Sequence, residues 1–125
     1  MGMQFDLFGA PTKPVSFPAV GSSNARCLWL MLNEGWLDND RLRAYGMGNA
    51  SRRAKDLVEN YGWPVVTRWK SFSRPDGVIV SIKEYRVEPV WLHELVRDDE
   101  VFAERLAMWG LAQNDYEHGK KGGEA

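Results

Sequence analysis

At 125 residues, with 44% hydrophobic side chains and six tryptophans, the chain has enough length and apolar mass for one small domain with a core, plus tails. A lone cysteine, Cys27, excludes an intramolecular disulfide, and two distant histidines, His93 and His118, exclude a histidine-built metal cluster. No apolar run reaches the ~18 residues of a membrane span, and the net charge of −1 is unevenly spread. Residues 1–40 carry a net −2, residues 41–86 carry 10 Lys/Arg against 4 Asp/Glu for a net +6, and residues 87–125 carry a net −5. A basic centre between acidic ends suits a module that faces nucleic acid beside a segment that does not. The start of the chain has neither a basic n-region nor an apolar h-region and is read as no signal peptide, so a cytoplasmic, soluble protein without cofactor or metal is expected.

In chain order, residues 9–21 hold three prolines and two glycines without helical or strand period. They read as an extended linker that isolates the first eight residues, so 1–21 is expected to be a flexible tail. Ser22, Ser23 and Asn24 offer N-cap oxygens to a first helix through Leu28 and Leu32, which Gly35 stops. Asp38 can cap a short second helix that ends at Gly46. A third begins near Asn49, turns Met47, Ala50, Ala54, Leu57, Val58 and Tyr61 inward, and is closed by Gly62 and Pro64. Two alternating runs, Pro64–Phe72 and Val78–Val87, flank Arg74-Pro75-Asp76-Gly77 and predict a β-hairpin with Tyr85 and Val87 inward. Beyond Pro89, residues 89–114 read as two acidic helices, one with Trp91, Leu92 and Leu95, the next capped by Asp98 or Asp99 with Phe102, Leu106 and Trp109 on one stripe. Residues 115–125 read as a disordered tail.

Helix, short helix, turn, basic helix and two-stranded ribbon, over residues 22–88, is the order of a winged helix-turn-helix, an α+β fold with three helices and a wing. The first two turns of its third helix must project short polar and cationic side chains toward base edges. Asn49, Ser51, Arg52 and Lys55 meet that need. Arg53, with Arg68, Lys70 and Arg74 on the wing, is expected at the DNA backbone, and Lys83 and Arg86 stand on the return strand. The same stretch resembles small helix-turn-helix domains of bacteriophages and prophages. The matching positions are Gly46-Met47, Arg52-Arg53, Leu57, Gly62-Trp63-Pro64-Val65, Thr67-Arg68-Trp69 and Tyr85. The resemblance implies a winged-helix, double-stranded-DNA-binding protein of phage type.

Gln4-Phe5-Asp6-Leu7-Phe8 resembles the bacterial sliding-clamp-binding motif, with Phe5 where Leu is commonest. The resemblance implies that Gln4 anchors through hydrogen bonds beside Asp6, while Leu7 and Phe8 enter an apolar pocket of the clamp. A DNA-binding domain tethered to such a peptide would gain from both contacts through effective concentration, and would act on replication by recruiting or blocking the clamp. Two other readings stay open: a transcriptional regulator of repressor or excision type, and a protein-interaction module that inhibits a host replication enzyme without DNA. A homodimer is also expected, with the C-terminal segment or the first helix as its seam. No phosphate loop, paired histidine and acid, or activated nucleophile points to catalysis, so no enzyme is expected.

Overall fold

The computed structural model describes residues 6–7 and 13–122, with side chains described over 13–119. In chain order these form β1 (Asp6–Leu7), α1 (Ser23–Glu34), α2 (Asn39–Arg43), α3 (Ala50–Tyr61), β2 (Val65–Ser73), β3 (Ile79–Val87), α4 (Pro89–Asp98) and α5 (Glu100–Gly122). The class is α+β: helices packed on a small antiparallel sheet ordered β1-β2-β3.

Local chemistry sets most boundaries. Ser22 Oγ accepts from Ala25 N at 3.1 Å to start α1, and Gly35, at φ 89°, ends it with its N–H on Met31 O. Asp38 caps α2 by accepting from Arg41 N at 2.8 Å. The α2–α3 turn is pinned by two asparagines: Asn39 Oδ1 accepts from Ala50 N, and Asn49, itself left-handed at φ 60°, accepts from Arg52 N. Between α1 and α2, Leu37 exchanges both backbone hydrogen bonds with Tyr85, at 2.8 Å each, and so covers the outer edge of β3. Counting outward from the Arg74–Gly77 turn, Ser73 faces Ile79, Trp69 faces Lys83, Arg68 faces Glu84 and Val65 faces Val87.

The core gathers Leu28, Leu30 and Met31 of α1, Leu42 of α2, Ala54 and Leu57 of α3, Val65, Tyr85 and Val87 of the sheet, and Phe102 and Trp109 of α5. Trp63, fully buried, is its hub: its ring meets Phe17 at 5.5 Å, Trp91 at 5.7 Å and Phe102 at 5.9 Å, and its Nε1 donates to Ser16 O. Cys27 lies inside this core, where burial pushes its thiol up to about 12.

Three expectations are corrected. Residues 13–21 are extended but do not form a free linker. Ser16 N donates to Tyr61 O, Pro18 O accepts from Trp109 Nε1, and Gly21 N donates to Gln113 Oε1. Their anchor is Phe17, whose ring packs among Trp63, Phe102 and Trp109, a gain that outweighs the freedom of a proline-rich stretch. Ahead of them, Asp6 and Leu7 pair with Thr67 and Val66 on the open edge of β2, so this part of the expected flexible tail is joined to the sheet; Gln4 and Phe8 lie outside the described residues. Finally, α5 continues to Gly122 where disorder was expected from residue 115. Gln113 and Glu117 are the cause: both are buried, Gln113 donates to Glu117 at 2.9 Å, and Glu117 pairs with Arg26 of α1 at 2.9 Å. Hence α1 and the C-terminal segment, the two expected dimer seams, cover one another's inner faces within one chain.

Candidate nucleic-acid interface

The inner face of α3 is fixed by Ala50, Ala54, Leu57 and Val58, all buried, which turns Ser51, Arg52 and Lys55 to solvent. Arg52 and Lys55 are three residues apart and therefore neighbours on one face. Among the described residues, neither forms an ion pair. The acidic C-terminal helix is occupied elsewhere, with Glu117 on Arg26. Glu59 is exposed on the same helix and subtracts from its positive potential.

Other expected contacts are placed differently. The side-chain oxygen of Asn49 is committed to the N-cap, which leaves its amide group as the part that can reach outward. Arg53 is half-buried, held by Asp56 at 3.4 Å, and close enough to α1 for its charge to act on Cys27. Arg68 is bound at 2.7 Å to Glu84, which is only 5% exposed, and its guanidinium lies 4.3 Å over the ring of Trp36. Its expected role at a phosphate is therefore corrected: it neutralises a buried carboxylate, which would otherwise be left unpaired. Arg74 pairs with Asp76 inside the hairpin turn at 2.6 Å, while Lys70 stays exposed on β2. The expected cluster thus shrinks to Ser51, Arg52, Lys55 and Lys70 as its outward, uncommitted part among the described residues.

Sequence reasoning missed the arginine clamp on Trp36, which also takes Arg86 at 5.7 Å. It also missed an exposed network in which Arg41 binds Glu34 at 2.7 Å and Tyr45 hydroxyl donates to Glu34. The Arg41 guanidinium holds the Glu34 carboxyl below its ordinary value. The sequence did offer one signal for the Arg68 pair, because the turn at Pro75–Gly77 sets a register that puts Glu84 opposite it.

Among the described residues, no group of three or more His, Cys, Asp or Glu side chains is arranged to hold a metal ion, and no helix is long and apolar enough to cross a membrane. Comparison with family models, curated proteins and solved structures finds no match to this chain.

Proposed function

We propose that this protein binds double-stranded DNA through a winged helix-turn-helix, with α3 in the major groove and the β2–β3 hairpin as the wing. The observation that carries this reading is the outward face of α3, where Ser51, Arg52 and Lys55 are exposed and Arg52 and Lys55 form no ion pair among the described residues. Arg52 has the fork for a guanine edge, Lys55 and Ser51 can reach bases or phosphates, and Lys70 supplies a backbone contact from the wing. The test is retention of labelled duplex by fluorescence anisotropy. Wild type binds at low salt, Arg52→Ala with Lys55→Ala binds at least about tenfold more weakly, as expected for two lost charge-assisted contacts, and no wild-type binding at low salt would leave a protein-interaction module as the better reading.

The N-terminal motif adds a second part to the proposal: engagement of the bacterial sliding clamp by Gln4, Asp6, Leu7 and Phe8, so that the protein acts on replication or its control. The pairing of β1 on β2 spans only two residues, so few backbone hydrogen bonds oppose release of this segment to a clamp pocket. Leu7→Ala with Phe8→Ala should abolish co-elution with purified clamp and leave duplex retention unchanged; co-elution that survives both changes rules the clamp out.

A further inference from the structure

The outer half of the hairpin is apolar where no core covers it. The first residues of β2, Val65, Val66 and Thr67, are buried, whereas every residue from Trp69 to Ile79 is exposed. Five residues of β2 beyond Arg68 carry the hairpin about 16 Å past the core. In this projection Trp69 is 64% exposed and Ile79 65% exposed on one face, and Phe72 is 44% exposed on the other. A ribbon that leaves the core ordinarily turns polar, because apolar side chains gain nothing in water and an isolated two-stranded ribbon is marginal. Here Trp69 is instead held in place, with the Lys83 ammonium 5.7 Å from its ring centre and a Ser71–Ser81 hydroxyl pair of 2.9 Å across the next rung.

The charge around these side chains says what would cover them. Residues 69–83 carry three Lys/Arg against one Asp; Arg74 is spent on Asp76, while Lys70 is exposed on β2 and Lys83 stands at the Trp69 ring. Exposed aromatic rings interleaved with cations match the two needs of an unpaired nucleotide, a flat surface for the base and a counter-charge for the phosphate. Apolar side chains on both faces of one thin ribbon suit a ligand that passes on both sides of it, as two separated strands do. We propose that the distal hairpin is a stacking wedge with Trp69 as the base platform, and that the preferred ligand is DNA at a junction between duplex and unpaired strands. This rests on the DNA-binding reading above and narrows it to a substrate class.

The experiment compares three probes of one sequence by anisotropy: blunt duplex, the same duplex with a frayed end of unpaired thymidines, and single strand. Wild type should bind the frayed duplex at least about five-fold tighter than the blunt one, the lower bound of one base stacked on an aromatic ring. Trp69→Thr, compatible with a strand, should bring frayed binding down to the blunt level, and Trp69→Phe should restore part of the preference. Equal wild-type affinity for frayed and blunt duplex, or a preference unchanged in Trp69→Thr, overturns the wedge while leaving duplex binding standing. Self-association that Trp69→Thr removes, with both duplexes bound alike, overturns it in favour of an interface between copies. No binding to any probe overturns the DNA reading and the wedge with it.

Discussion

Replacing Glu117 by Ala tests how the C-terminal helix is held. Its carboxylate is buried, accepts from Arg26 Nε and from Gln113 Nε2 at 2.9 Å each, and Gln113 in turn accepts from Gly21 N. Removing one partner of a buried pair costs about 3–5 kcal/mol when the other charge stays unpaired in the interior. The Arg26 side chain keeps 13% exposure and can recover part of its hydration, while the lost Gln113 bond adds about 1 kcal/mol. The expected destabilisation is about 2–4 kcal/mol, which for a chain of this size lowers the thermal midpoint by roughly 8–16 °C. Urea and thermal unfolding followed by tryptophan fluorescence and circular dichroism would read it, with Glu104→Ala, on the exposed side of the same helix, as the control expected within about 0.5 kcal/mol of wild type. If Glu117→Ala behaves like Glu104→Ala, α5 is not docked beyond residue 114 and the account of its length is wrong.

Arg68→Ala should act on stability rather than on DNA: it leaves Glu84 buried and unpaired, at a cost of about 2–3 kcal/mol in urea unfolding. Duplex affinity of the folded variant should stay close to wild type, and lost affinity with unchanged stability would return Arg68 to the interface. Gly62 has φ 73°, and a Cβ there would lie 2.5 Å from Lys13 O and 2.7 Å from Pro14 O. Gly62→Ala is therefore expected to cost about 2 kcal/mol or more and to release the Ser16–Tyr61 hydrogen bond, seen as faster exchange of the Ser16 amide. Cys27, with its thiol pushed up to about 12, should resist thiol reagents in the native protein and react once unfolded. The sign of its pH effect follows: between about 9 and 12 the unfolded chain loses a proton that the folded chain keeps, so its contribution to stability falls as pH rises through that window. A rise in stability over that range in wild type relative to Cys27→Ala would contradict the buried thiol.

Features written in neighbouring residues were legible in the sequence. The caps at Ser22 and Asp38, the stop at Gly62-Trp63-Pro64 and the reversal at Pro75–Gly77 depend on side chains within three or four positions of the backbone they satisfy. Docking of residues 13–21 was not legible, because its partners stand far along the chain: Gly21 and Gln113 are 92 positions apart, and Pro18 and Trp109 are 91. Prolines that keep a segment extended do not say whether it runs through solvent or across a core. Likewise Gln113 and Glu117 sit in a polar run whose only sign of burial is Arg26, on another helix.

The site followed the same division. Exposure of Arg52 and Lys55 follows from the apolar period of α3, which a sequence displays directly. Whether an arginine is available depends on which acid lies beside it, and that took Arg68 to Glu84, Arg74 to Asp76 and Arg53 to Asp56. The Arg53 and Arg74 partners are within three positions, so spacing alone could have removed both from the interface.

The most direct measurement of the central claim is the salt dependence of duplex binding by wild type and by the Arg52→Ala, Lys55→Ala double variant. Wild-type affinity should fall steeply with salt, and the double variant should bind more weakly with a slope flatter by about one to two, since each lost phosphate contact removes about 0.9 from it. Wild type and variant with the same affinity and the same slope would contradict a DNA-facing α3.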